Sequence, residues 1–194
     1  TKAPAPSPKT PPPTPYRGLG GVSGEGGGIG FTRSSPEKIL GEFSIKRHYP
    51  DQPLVGVGAV VFRGEEVLLV RRGQEPALGS WSLPGGLVEL GETLSAAIQR
   101  ELAEETGLTV NLLGIAAVAE RIFPDPDGNV AYHYVLVDYL CDYEAGELTV
   151  GSDITAARFV PLAELPGFDL PQFTAGVIRR AWDQKRQGSW LPLT

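Results

Sequence analysis

The stretch Gly86–Leu108, GLVELGETLSAAIQRELAEETGL, constrains this chain more than any other. It follows a Leu83-Pro84-Gly85-Gly86 turn, passes Gly91-Glu92 and enters a helix that the sequence ends at Thr106-Gly107. At 100° per residue, Leu94, Ala97 and Ile98 share one side of that helix with Glu101 and Glu105, so two acids continue an apolar stripe. Glu101, Glu104 and Glu105 also crowd the last turn, where the negative end of the helix dipole disfavours a carboxylate by about a few tenths of a kcal/mol. The neighbouring cation, Arg100, precedes Glu104 by four residues, the weaker order for such a pair. A Glu-rich helix end is ordinarily a solvated acidic patch. Acids on the buried face ask instead for compensating positive charge, and a hard divalent cation with oxygen ligands, Mg²⁺ or Mn²⁺, fits best.

Length and composition set the frame for that helix. The 194 residues allow one domain plus an extension, and the 41% hydrophobic and 21% charged content is that of a globular chain. A net charge of −6 argues against a protein that coats nucleic acid, so no nucleic-acid partner is expected; it is compatible with a small anionic substrate reached through a metal. The single cysteine, Cys141, excludes an intrachain disulfide and reads as a small buried residue. No stretch approaches the roughly 18 apolar residues of a membrane span, so no membrane partner is expected. The N-terminus shows no basic end followed by an apolar run, and a cytoplasmic protein is the expectation.

Residues 1–36 are dense in proline and then in glycine, which removes backbone donors and raises the entropy lost on folding; a disordered arm is expected. Its PPPTP segment reads as linker in preference to a ligand for a proline-recognition domain. Residues 37–52 form a connecting segment, in which Phe43, Ile45 and Tyr49 allow a short strand; 53–187 form the domain and 188–194 a C-terminal tail. Within the domain, Leu54–Phe62 reads as a strand buried on both faces, and Val67–Val70 returns as its hairpin partner. Trp81 is a core anchor or an aromatic platform at the edge of the site, and the second reading is preferred. After the helix come a short strand, Leu108–Leu112, an apolar run, Leu113–Phe123, and turn chemistry from Pro124 to Asn129. Val130–Cys141, apolar on both faces, reads as a central strand, with His133 as a satisfied core residue. Asp142–Thr155 reads as an acidic loop, Ala157–Pro161 as a strand, Leu162–Leu165 as a turn and Phe173–Lys185 as a closing helix. Strands on both sides of one central helix, with a second helix at the end, predict an α/β domain whose mixed sheet is covered on both faces.

Carboxylates on a helix face, beside backbone carbonyls of a glycine turn, are a donor set for Mg²⁺ with open positions. Such ions neutralise bridging phosphate oxygens and acidify a bound water, so metal-assisted hydrolysis of a phosphoanhydride is the predicted chemistry. The pattern is also longer than the acids. Glycine, five residues, Glu, seven residues, then Arg-Glu-aliphatic-any-Glu-Glu-any-Gly-aliphatic is met by Gly86, Glu92, Arg100, Glu101, Leu102, Glu104, Glu105, Gly107 and Leu108. This resembles the signature box of the Nudix hydrolases at each of its nine specified positions. The resemblance implies a Nudix-type α/β/α sandwich with a mixed β-sheet and a central catalytic helix, spanning roughly residues 40–187. It implies as substrate a nucleoside diphosphate linked to another group.

By the same resemblance, Glu101 and Glu105 are principal metal ligands and Glu104 is a further ligand or a member of the water network. The carbonyl of Gly85 or Gly86 completes the shell, while Arg100 and Glu92 hold the acids and the loop in place. Relatives often carry a further acid, sometimes the general base, on a late loop; here Asp153 is the first candidate and Glu147 the second, and Ala156 stands where a Glu is common. Pro124, the sixteenth residue after Leu108, resembles a proline of the ADP-ribose-cleaving subgroup. Trp81, Phe123, Tyr132 and Tyr134 are candidates to stack on a base, although aromatic residues in strands are usually core. The expected activity is cleavage of ADP-ribose or a related nucleotide sugar. The alternatives are an oxidised-nucleotide triphosphatase and a catalytically silent nucleotide-binding module. Subgroup relatives are often dimers, so a homodimer is implied as well.

Overall fold

The computed structural model describes residues 46–192 apart from 76 and 152. The expected disordered arm over 1–36 lies outside these residues, as do Phe43 and Ile45. The strands are β1 (Leu54–Arg63), β2 (Glu66–Arg72), β3 (Trp81–Ser82), β4 (Gly85–Leu87), β5 (Thr109–Pro124), β6 (Val130–Ala145) and β7 (Ile154–Pro161). Helix α1 (Leu94–Thr106) follows β4, a 3₁₀ turn covers Leu162–Gly167, and α2 (Gln172–Gln187) closes the domain.

These strands form one mixed sheet whose main path runs β3-β2-β1-β6-β5, with β4 added to β1 and β7 to β2. The β1–β6 pair is parallel, with Val57 opposite Val137 and Gly58 opposite Asp138. The other pairs are antiparallel. Alternation along β1 builds two cores. Val57, Ala59 and Val61 face Ala97, Ile98 and Leu102 of α1, whereas Val60 and Phe62 face Val177, Ile178 and Ala181 of α2. The expected α/β/α layering and the interior position of β6 are both present.

Several boundaries differ from the sequence reading. The two segments expected over 108–123 are one strand, because register shifts between Leu112 and Gly114 and between Ile115 and Ala117 absorb the extra residues without ending the pairing. Strand β6 runs on to Ala145, past the expected start of the acidic loop: Tyr143 packs against the α1-side core and pairs with Val110, and Asp142 forms an ion pair with Lys185 of α2. Gly85–Leu87 is a short strand bonded to β1 as well as a turn exit. His133 sits on the sheet surface with Nε2 3.0 Å from Glu120 Oε1 on β5, so its partner is a cross-strand carboxylate outside the core. The expected tail docks: Trp190 packs on the α2-side core and the Ile115 N–H donates to the Leu191 carbonyl at 3.0 Å.

Candidate active site

Helix α1 delivers the acids. The Thr93 side chain caps its start by accepting from the Ala96 N–H at 3.2 Å. Gly107, at φ 69°, ends it with its N–H bonded to the Ala103 carbonyl. Between the caps the helical period buries Ala97, Ile98, Leu102 and Glu105. Glu101 is half-buried, and Glu104 keeps 61% of its side chain exposed.

Arg100 links the acids to the loop before the helix. Its Nε and Nη2 each donate to one Glu92 oxygen at 2.9 Å, a bidentate grip. Its Nη1 donates to Glu101 Oε1 at 2.9 Å and to Glu104 Oε2 at 3.2 Å, and Nη2 also reaches the Leu87 carbonyl at 3.1 Å. The hydrogen bonds from Arg100 hold the Glu92 carboxyl below the usual range, and Glu92 in turn raises the guanidinium further above its own.

Glu105 lies deepest, at 8% exposure, and its Oε2 accepts from the Gly85 N–H at 2.9 Å. Burial pushes its carboxyl up to about 7 despite that bond, and burial raises Glu101 as well. The close approach of α1 to β4 depends on Gly86, where a Cβ would fall on the Glu101 carboxyl group.

Two hollows share these acids. A recess of about 40 Å³ is lined by Glu101, Glu104, Glu105 and Asp153. A larger cavity of about 310 Å³ shares Glu101, Glu105 and Asp153 and also takes in Gly85, Gly86 and Phe123. Asp153 is positioned from β2 and the loop after it: the Gly73 N–H donates to its carbonyl and Gln74 Nε2 to its Oδ1, both at 2.9 Å.

The other sequence candidates divide. Tyr134 lines the cavity; Tyr132 does not, but stands edge-on to Phe123 with ring centroids 6.4 Å apart. Glu147 is exposed and lines neither hollow. Trp81 packs into the α2-side core, edge-on to Phe168 at 5.4 Å, and the cavity wall at that point is made by Ser82 and Leu83. Its contact is the anchoring one, because Phe168 arrives from the 3₁₀ turn far along the chain.

Sequence reasoning missed several polar residues of the wall, among them three arginines and Asp138. Arg47, Arg72 and Arg121 bring positive charge to the cavity, and the Arg121 guanidinium lies over the rings of Phe123 and Phe173, at 5.4 and 4.9 Å. No local pattern marks them. Asp138 was legible in principle, as a carboxylate in the middle of an apolar strand.

The donor set suits a hard divalent cation: carboxylate oxygens from Glu101, Glu104, Glu105 and Asp153 surround one recess, and two of them carry charge that burial disfavours. Among the described residues these acids are not already converged as a metal-binding set. Arg100 and the Gly85 N–H occupy their oxygens instead.

A mixed sheet between helices, with one helix presenting its carboxylates beside a glycine strand, defines a class that the comparisons identify. Residues 52–181 match the model of the NUDIX domain, and the chain belongs to the Nudix family as a Nudix hydrolase. Nudix hydrolases in general use a divalent metal. The chain is 34% identical over 140 residues to an ADP-ribose pyrophosphatase of Methanocaldococcus jannaschii, covering 70% of this chain and 79% of the relative. It is 51% identical over 73 residues to a putative 8-oxo-dGTP diphosphatase 2 of Mycobacterium tuberculosis, covering 37% of this chain and 49% of that protein. Among solved structures, the NUDIX domain of Shewanella oneidensis NrtR complexed with ADP ribose superposes with a TM-score of 0.57 at 25% identity, over 69% of this chain and 89% of that one. Among the described residues, no helix is long and apolar enough to cross a membrane.

Proposed function

We propose that this Nudix hydrolase cleaves the pyrophosphate bond of ADP-ribose or a related nucleoside-diphosphate sugar with the help of Mg²⁺. The observation that carries this reading is the sharing of Glu101, Glu105 and Asp153 between the two hollows: the acid recess has these side chains in common with a cavity whose lining is otherwise partly aromatic and cationic. That is the shape for a substrate with its phosphates at the acids and its nucleoside beyond them. The volume, about 310 Å³, falls in the range of small-molecule sites. Likeness to an ADP-ribose pyrophosphatase and to an ADP-ribose complex supports the choice of substrate.

Glu101, Glu105 and Glu104, with a carbonyl of Gly85 or Gly86, would hold the cation, which supplies charge neutralisation at the phosphate oxygens and an acidified water. The chain's own residues do the rest. Arg100 fixes Glu101 and Glu104 to Glu92 and to the Leu87 carbonyl, so the acids keep one arrangement as charge develops. Asp153 is the acceptor for the proton of the attacking water, held at the mouth of the recess by Gln74 and the Gly73 N–H. Arg47, Arg72 and Arg121 attract the diphosphate, and Phe123 and Tyr134 offer flat faces to the base.

A second reading rests on the 51% identity to the putative 8-oxo-dGTP diphosphatase: hydrolysis of a nucleoside triphosphate. A panel of nucleotides with product identification separates the two. AMP plus ribose phosphate from ADP-ribose supports the first, and a nucleoside monophosphate plus pyrophosphate from a triphosphate supports the second. Binding without turnover of any nucleotide in the presence of Mg²⁺ would make the domain a silent binding module.

A further inference from the structure

Asp138 belongs to none of the roles above. It lies in the interior of the sheet on β6, opposite Gly58 of β1 and Ala117 of β5, and is 5% exposed. Its Oδ2 is buried without a hydrogen-bond partner. Burial alone raises its carboxyl, to about 6, with no cation and no hydrogen bond among the causes. A carboxyl in such a place is unfavourable for folding, since a buried charge is normally paired. The strand alternation would suit an apolar residue here: Leu140, two positions on, is fully buried in the α2-side core.

The surroundings accommodate the carboxyl without satisfying it. A Cβ at Gly58 would fall on Asp138 Oδ1, so the neighbouring strand leaves room for this side chain by having none. Asp138 lines the large cavity with Leu83, Leu136, Tyr134 and Thr174, and is absent from the acid recess. The carboxyl therefore stands on the cavity wall outside the acid recess, with a buried oxygen, Oδ2, that no protein group satisfies.

We infer that Asp138 is a specificity-determining residue, taking a hydrogen bond from a donor on the nucleoside of the substrate, either the amino group of the base or the 2′-hydroxyl of its ribose. This rests on the reading of the cavity as a nucleotide site. A buried acceptor left unpaired by an analogue that lacks the donor penalises that analogue by far more than a lost contact with an apolar wall.

The test is steady-state kinetics with Mg²⁺ on the full chain, using ADP-ribose, its hypoxanthine analogue, which lacks the amino group, and the analogue with a 2′-deoxyribose on the adenosine side. Wild type is expected to lose about 100-fold or more in kcat/KM on one of the two analogues, and which one identifies the donor. Asp138→Leu, apolar and of similar size, removes both acceptor oxygens and is expected to raise KM for ADP-ribose about 10- to 100-fold with a smaller change in kcat, and to leave the disfavoured analogue nearly unaffected. Asp138→Asn, the second variant, keeps one acceptor oxygen and is expected to discriminate to a degree between that of wild type and that of Asp138→Leu. Equal treatment of all three substrates by wild type would overturn the inference, as would undiminished discrimination in Asp138→Leu. If wild type turns over none of the three, the nucleotide-sugar reading fails and the inference with it.

Discussion

The backbone N–H of Gly85 donates to Glu105 Oε2 over 2.9 Å, tying the glycine strand β4 to the most deeply buried acid of α1. One bond from one neutral donor does not offset the burial of this carboxyl, which is why it is raised to about 7. Glu105→Gln removes the charge at nearly constant volume and keeps an oxygen for the Gly85 N–H. Turnover should disappear, while the metal-free variant melts at the same temperature as wild type or higher. Unchanged turnover would remove Glu105 from the site.

The pH dependence of stability follows from the same group, and its sign is definite. The folded carboxyl binds its proton more tightly than the ordinary value of 4.5, at about 7. Between these values the folded protein keeps a proton that the unfolded chain releases, so stability falls as pH rises through this window; the loss from this residue amounts to at most about 3 kcal/mol. Thermal unfolding in excess chelator should therefore show wild type falling behind Glu105→Gln as pH goes from 5 to 8. A gap between the two proteins that does not change with pH would contradict this.

Gly86→Ala tests the approach of helix to strand. Its methyl would meet the Glu101 carboxyl, so the acid must turn away or α1 must move off β4. A misplacement of about 1 Å at a reacting centre is enough to lower kcat roughly 100-fold. The circular dichroism spectrum should remain that of the wild type, which separates misplacement from unfolding.

Arg100→Lys keeps a positive charge but loses the fork that grips both Glu92 oxygens while reaching Glu101 and Glu104. Activity at saturating substrate should fall about 10- to 100-fold, the usual loss when groups that orient metal ligands are removed. The Mg²⁺ concentration for half-maximal rate should rise in parallel, and a wild-type value would show that Arg100 acts on the substrate instead.

Among the described residues, those that line the two hollows run from Arg47 to Thr174. Residues 1–36 read as a linker, and their deletion should leave kcat/KM at the wild-type level. A large loss on deletion would overturn the linker reading of that segment.

The helix was legible because its information is local. Thr93, the apolar period through Leu94, Ala97 and Ile98, and Gly107 define α1 within fifteen residues, and the acids reveal themselves by standing on its buried side. The layer order followed from the two-faced apolar runs of β1 and β6. What escaped was set by contacts distant in sequence. Trp81 has an anchoring partner only because Phe168 folds back over it. Strand β5 continues through Leu113 because bulges against β6 accommodate a mismatch that reads as a break. Arg47, Arg72 and Arg121 converge from β2, β5 and the segment before β1, and nothing near any one of them signals the others. Asp138 lies within an otherwise apolar strand, where the mismatch itself is the signal.

The central proposal is that a divalent cation at the acid recess enables cleavage of a nucleoside-diphosphate sugar. The direct measurement is to incubate purified protein with ADP-ribose, with Mg²⁺ and with chelator, and to identify the products. AMP and ribose 5-phosphate should form with Mg²⁺ and not with chelator, and neither should form with Glu105→Gln. Equal product in chelator, or undiminished product from that variant, would contradict the account.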